Sequence, residues 1–535
     1  MTSSQYKTLL LFVFISTILI NCGGGNSQTH QQADTTLVSI GGLIQNREAP
    51  IPSQCYTKTE GHHNPCYTCH QSYTDGRANV QNDADLQGDY AFSWLGVKNH
   101  WLNLFKDRSQ QVSAISDDEI LNYISQDNYT PLKAKLESDV NWKGYIPDLA
   151  NYQSTTEAFS ENGLAKDGSA WVAFNYKPLP STFWPTNGST DDVLLRLPKI
   201  FRASNSCANL SESIDVYYAN LALLEATIKQ LTEISTPEID ENKICVDLNG
   251  DSQLGRITQI TTLPDHYVGD ASTIKRHDTL YPLGTEFLHS VRYVGVSDVG
   301  DIYTPPRMKE LRYMKKTHFF NKGELSGAYK LEAIEKEDEI IPTYKNTRHG
   351  LLNRFGWLVL GFIEDKKGAL RQQTHEENKF CMGCHSTVGT TIDQTFAFPR
   401  KITGAKGWGY INLKNMVDVP NYGETKGEIL TYLKRAGGGS EFRSNTEMWQ
   451  RWFNPDGSLK EDEINAADVY ALITPSRERA LTLNKAYKVI VDEQSFIYGR
   501  DAIVAPPGNV YDNVPIENPP LTEDNRYQWD IRLQW

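Results

Sequence analysis

The chain has 535 residues, with 53 Lys and Arg against 66 Asp and Glu, and the net charge of −13 argues against a nucleic-acid partner. With 39% hydrophobic and 22% charged residues, the composition is that of a folded globular protein rather than a disordered chain or a membrane protein of many spans. The length suggests about two to four domains, with enough apolar surface for a core.

Residues 1–21 read as an export signal, with one positive charge at Lys7, an uncharged apolar run from Leu9 to Ile20, and then Cys22. The run is 12 residues long, short of the roughly 20 that a bilayer-spanning helix needs. Leu19-Ile20-Asn21-Cys22 resembles the bacterial lipobox, in which the cysteine is acylated and becomes the mature N-terminus. Two acyl chains anchor a protein stably where one does not. After Cys22 come three glycines and a polar stretch through Thr36, so residues 22–40 read as a flexible tether between membrane and folded body. Gly23, in place of Asp, resembles the outer-membrane sorting choice. The expected location is therefore an outer-membrane lipoprotein facing the periplasm or the cell surface.

Residues 41–148 and 346–435 each contain one Cys-x-x-Cys-His pentapeptide, Cys66-Tyr67-Thr68-Cys69-His70 and Cys381-Met382-Gly383-Cys384-His385. This is the attachment motif of c-type haem: two thiols spaced to reach the two vinyl groups on one porphyrin edge, with the next imidazole beneath the iron. Chance gives about 0.003 copies in a chain of this composition, so two copies carry weight. A zinc half-site or a thioredoxin-like pair has no need of the His in both copies. The two pentapeptides resemble those of di-haem c-type cytochromes, including, more distantly, the di-haem peroxidase group. The resemblance implies two covalently bound haem c groups held by Cys66, Cys69, Cys381 and Cys384, with His70 and His385 as proximal iron ligands. The motifs lie 315 positions apart, from 66 to 381, farther than in the peroxidases.

The distal iron ligands decide between a carrier and an enzyme. Val97, Trp101, Leu104 and Phe105 predict a helix whose apolar stripe His100 borders, which makes His100 the distal ligand for the first haem, with His62 or His63 as alternatives. Ser116 with Glu119 predicts a capped helix start. Residues 149–345 mix strands and turns. Within them Phe287, His289, Val291 and Tyr293 alternate as one strand face, so His289 is chosen for the second haem. Met308, Met314, His318, His349, His375, Met416 and an open iron stay as alternatives.

Cys55, Cys207 and Cys245 remain, and Cys207 with Cys245 is read as a disulfide closing a helix over about Ser211 to Leu231. Asp247, Asn249 and Asp251 resemble the start of an EF-hand-type calcium loop, although Ser252 and Thr258 stand where Gly and Glu are expected, and Asp265 or Asp270 would serve as late ligands. In residues 436–535, Thr474-Pro475-Ser476 starts a helix that should pack on the second haem region, and the tail from Ala505 reads as an extended arm.

The expected fold is mainly α with long loops, two cytochrome c-like haem regions flanking a mixed α+β middle. The expected function is an exported, membrane-anchored electron carrier working with redox partner proteins. The alternative is a di-haem peroxidase or oxygenase-like enzyme with one open haem; no catalytic base is identified for it.

Overall fold

Alternating side chains along four long strands build the centre of the molecule. The computed structural model describes residues 37–40, 43–46, 48–71, 83–88, 92, 94–181, 185–338, 340, 342–347, 349–438, 444–518 and 521–535. The export signal, Cys22 and the tether up to residue 36 lie outside the described residues. In chain order the strands used below are β1 (Val172–Ala173), β2 (Thr190–Arg196), β3 (Ile234–Asp240), β4 (Arg256–Ile260), β5 (Glu286–Arg292), β6 (Met308–Lys316), β7 (Lys345–Thr347), β8 (Gly350–Leu352), β9 (Trp357–Glu364) and β10 (Leu370–Gln372). The helices are α1 (Asp117–Ile124), α2 (Tyr129–Ser138), α3 (Ile214–Lys229), α4 (Lys322–Glu337), α5 (His375–Lys379), α6 (Glu428–Ala436) and α7 (Arg477–Glu493).

Eight strands form one antiparallel sheet in the order β7-β8-β9-β6-β5-β2-β1, with β10 also paired to β9. The register places Leu194, Leu288, Tyr313 and Leu360 in one row across β2, β5, β6 and β9, and Leu195, Phe287, Met314 and Val359 in the next. Because successive strand residues face opposite sides, these rows belong to two different cores. The first row packs with Leu132 and Leu136 of α2, and the second joins a larger core that includes Leu221 and Leu224 of α3. Helix α3 is buried over almost its whole length, its buried Glu225 and Lys229 paired at 2.7 Å. Ser213 caps it by accepting from the Val216 N–H.

This sheet corrects the expected mainly α architecture of two cytochrome c-like regions. β6 reads Met-Lys-Glu-Leu-Arg-Tyr-Met-Lys-Lys, a sequence with too many charges to suggest a central strand, yet Lys309, Glu310 and Lys316 are all buried. The helix expected around His100 is also absent: Asn99 Oδ1 accepts from the Trp101 N–H at 3.0 Å, and only a 3-10 turn, Leu102–Phe105, follows. An Asx-type turn of this kind competes with helix.

Several local signals are seen as read. Ser116 accepts from the Glu119 N–H at the start of α1, whereas α7 starts later than Thr474 and Pro475 suggest, with Ser476 as its cap accepting from the Arg479 N–H. The stripe of α7 formed by Leu483, Tyr487 and Ile490 packs on Ile120 and Ile124 of α1 and on Tyr293, so this helix joins the first region to the sheet. Among the described residues no helix is long and apolar enough to cross a membrane.

Leu288 is fully buried in the row shared by four strands. Leu288→Ala should therefore destabilise the chain by about 3 kcal/mol, seen as a lower urea midpoint with an unchanged slope.

Candidate functional site

The two pentapeptides fold alike. Cys66–Thr68 and Phe380–Gly383 are 3-10 turns. In the first the N–H groups of Cys69 and His70 both donate to the Cys66 carbonyl, and in the second those of Cys384 and His385 both donate to the Cys381 carbonyl. The first turn is braced by Asn64, whose Oδ1 accepts from the Tyr67 N–H, and by Thr68, whose hydroxyl donates to the Pro65 carbonyl. The second follows α5, whose start is fixed by a capping box between Thr374 and Glu377.

The chain brings the two turns side by side. The Thr390 N–H donates to the Cys69 carbonyl at 3.1 Å, and the Gln71 amide donates to the Thr390 hydroxyl at 3.4 Å. Asp83 sits between them, its carboxylate accepting from His70 Nδ1 at 2.9 Å, from the Gln71 N–H at 2.8 Å and from the Gly389 N–H at 3.0 Å. His385 Nδ1 lies 2.7 Å from the Gln394 carbonyl. A carbonyl or an ionised carboxylate only accepts, so both imidazoles carry a proton on Nδ1.

The electrostatic surroundings differ. Burial pushes the Cys66 thiol up to about 12, and it raises Cys69 well above its ordinary value, where Cys384, Cys55 and Asp83 add to the effect. Burial raises Cys384 to about 11 and also raises Cys381, while Arg312 pulls both back and Arg500 acts on Cys381 as well. Those two guanidiniums share Glu310, which accepts from each at 2.9 Å. His385 is held down to about 4, chiefly by burial and further by Arg312 and His289.

Aromatic rings close the site. Tyr67 packs edge-on against Tyr527 at 4.8 Å between centroids and against Trp529 at 6.2 Å, and Phe380 packs edge-on against Trp101 at 5.4 Å. Arg500 lies 4.6 Å over Phe380.

The other residues singled out from sequence fall as follows. His289, on β5, faces the second turn closely enough to influence His385, and its Nε2 lies 3.4 Å from an Asp191 carboxylate oxygen. His100 is buried with Nε2 3.4 Å from the Leu95 carbonyl. His62 is exposed and His63 partly buried, just before the first turn. Cys207 and Cys245 are joined as a disulfide with Cα atoms 6.3 Å apart. Asp247 accepts from the Gly250 and Ser252 N–H groups at 2.6 and 2.7 Å, and Asn249 and Asp251 accept from the backbone two residues on. Asp270 accepts from the Asn205 amide at 2.7 Å. The loop is thus an Asx-rich turn whose oxygens serve the backbone. Asp83, Gly389, Arg312, Glu310, Arg500 and Gln394 carried no signal in the sequence.

A lipoprotein family model matches residues 39–472. An uncharacterized lipoprotein of Aquifex aeolicus (strain VF5) is 31% identical over 554 residues, covering 92% of this chain and 91% of that protein. No solved structure matches. These findings overturn the assignment to di-haem c-type cytochromes or the peroxidase group, which rested on two pentapeptides, whereas the lipoprotein match runs through most of the chain. The expected cofactors, two haem c groups and calcium, are corrected as well: among the described residues no group of three or more His, Cys, Asp and Glu is placed to hold a metal ion.

The low proton affinity of His385 has a measurable consequence. The unfolded imidazole binds its proton near the ordinary 6.5 and the folded one only near 4, so stability is complete above that window and falls as the pH drops through it. His385→Gln should flatten this part of the profile, as read from urea midpoints on either side of the window.

Proposed function

The chain belongs to this lipoprotein family, and on that premise we propose that it is an exported redox lipoprotein whose two Cys-x-x-Cys-His turns each pass between dithiol and disulfide, the two thiols giving two electrons and two protons to an oxidised disulfide of a partner protein and taking them back from a reduced dithiol. As a lipoprotein it is exported and held at a membrane through a lipid anchor. The anchor is carried by Cys22, and the outer membrane is its location, on the strength of the short apolar run and of Gly23.

The observation that carries the reading is the approach of two like turns, 315 positions apart in sequence, with one buried carboxylate bonded to His70 of the first and to Gly389 in the loop that follows the second. The two turns lie close enough for Cys384 to act on Cys69, with Cys381 buried and Cys66, Cys69 and Cys384 half-buried. The fixed hydrogen bonds at each imidazole favour electron transfer, because groups already oriented need little rearrangement when charge changes. The acidic chain suits a basic redox partner protein.

Reductive titration of the purified full chain, exported by a bacterial host, tests the reading. Starting from the oxidised chain, each turn should take up electrons and protons reversibly as its disulfide opens to two thiols, and Cys381→Ser together with Cys384→Ser should remove one such portion and leave the other. A parent chain that takes up no electrons overturns the proposal.

Anchoring is tested separately. Cys22→Ala should move the protein from the membrane fraction to the soluble one, and equal membrane association of variant and parent would exclude Cys22 as the acylated residue.

A further inference from the structure

The loop that leaves the second turn is laid along the end of the first. The Thr390 N–H donates to the Cys69 carbonyl, and Asp83 joins His70 to the Gly389 N–H. A third segment closes in on the same place. Pro50 and Pro52 lead into the 3-10 turn Ser53–Tyr56, which carries Cys55, and they press on Gly383 of the second turn, where a Cβ would lie 3.1 Å from the Pro50 carbonyl oxygen and 3.0 Å from Pro52 Cγ. The four thiols of the turns are not equivalent in this packing. Cys384 and Cys55 both lie near enough to Cys69 to raise its thiol, whereas at Cys66 it is burial that raises the thiol, and Cys381 is turned to Asn378, its Sγ 3.8 Å from the amide oxygen. Cys69 and Cys384 are thus the inner pair, and Cys66 and Cys381 the outer one.

We propose that Cys69 and Cys384 are the linking pair through which the two turns exchange a disulfide with each other, so that the four thiols work as one relay rather than as two separate sites. The proposal rests on the dithiol–disulfide reading above and adds the route between the turns. The relay starts when a disulfide of the partner protein has oxidised the first turn to Cys66–Cys69 and the second turn is still a dithiol. Cys384, as its thiolate, attacks the Cys69 sulfur: the Cys69–Cys384 bond forms, the Cys66–Cys69 bond breaks, and Cys66 leaves with the electron pair and takes up the proton that Cys384 gave away. Cys381 then attacks the Cys384 sulfur in the same way: the Cys381–Cys384 bond forms, the Cys69–Cys384 bond breaks, and Cys69 takes up the proton from Cys381. Two electrons and two protons have passed from the second turn to the first, which is a dithiol again, with no further reagent. The attack falls to Cys384 because the thiolate is the nucleophile and Arg312 pulls this thiol, at about 11, back against its burial, while Cys55 and Asp83 oppose a thiolate at Cys69.

The experiment uses the full exported chain in two variants. One carries Cys55→Ser, Cys66→Ser and Cys381→Ser and keeps Cys69 and Cys384; its companion carries Cys55→Ser, Cys69→Ser and Cys381→Ser and keeps Cys66 and Cys384. Without backbone movement a disulfide needs its two Cα atoms within about 7 Å, so each variant measures an approach. On oxidation with diamide the first variant should gain an intramolecular Cys69–Cys384 disulfide, read from the masses of its proteolytic peptides, and the companion should keep both thiols free. A first variant whose thiols stay free, or a companion linked to the same extent, overturns the proposal. The parent guards against variants that fold badly. Reduced, then oxidised with a limiting amount of diamide and trapped with N-ethylmaleimide at successive times, it should show the Cys69–Cys384 link as a transient between Cys66–Cys69 and Cys381–Cys384, and absence of that link at all times also overturns the proposal. Both readouts are peptide masses that need no partner protein, so failure of the redox reading in the reductive titration and failure of this proposal are separate results.

Discussion

The neutralisation of charges buried along the central strand β6 is the constraint on which the site depends. Met308–Lys316 is enclosed by both cores, so each charged residue on it must find a partner or forfeit its hydration. Lys309 donates to the Gly188 carbonyl and the Ser189 hydroxyl and lies over the rings of Tyr487 and Tyr293. Glu310 takes hydrogen bonds from Arg312, Arg500 and Gln373. Lys316 pairs with Asp393, which also accepts from the Tyr281 N–H. Breaking one partner of such a pair leaves an uncompensated buried charge and costs about 3–5 kcal/mol. The partners are also what shape the second turn. Arg312 and Arg500 stand beside Cys381, and Asp393 precedes the Gln394 whose carbonyl holds His385. The same ion pairs that let a charged strand be central also fix the electrostatics of the turn beside it.

How much of this was legible in the sequence follows from the range of each interaction. The two pentapeptides and the caps at Ser116 and Ser476 are local signals, where a few neighbouring residues determine the backbone. β6 was hidden because its charges are satisfied by residues up to 190 positions away, as with Arg500 and Glu310, and no local pattern records that. The stretch from Val97 to Phe105 had helical spacing, but Asn99 and its contact with the Tyr511 carbonyl pull it into a turn against the C-terminal segment. Asp83 was illegible for a related reason. It lies 13 residues from His70, and its second partner, Gly389, is 306 residues away.

The pairing of the turns explains why alike backbones have unlike surroundings. Each turn supplies the same short arc of hydrogen bonds to its first cysteine carbonyl, so its own geometry is set locally. What differs is the acceptor behind each histidine and the charge beside each thiol, and both come from other parts of the chain. A locally coded turn can thus be placed in two electrostatic settings without changing its internal structure.

The closing elements extend this argument beyond the span matched by the family. That match ends at residue 472, yet Arg500 completes the ion network beside Cys381, and Tyr527 and Trp529 cover Tyr67 of the first turn. Gln87 ties the same arm down, its amide donating to the carbonyls of both His70 and Tyr527 while its oxygen accepts from the Tyr527 N–H. The turns themselves lie within the matched span, whereas part of their shielding comes from the last residues of the chain. Solvent access to both turns is therefore governed by a segment without regular strands or long helices, held by hydrogen bonds and ring contacts rather than by a sheet. The segment is also packed down, since its Val510, Val514, Leu521, Trp529 and Ile531 are buried, so the cover over the turns is part of the core rather than a loose flap.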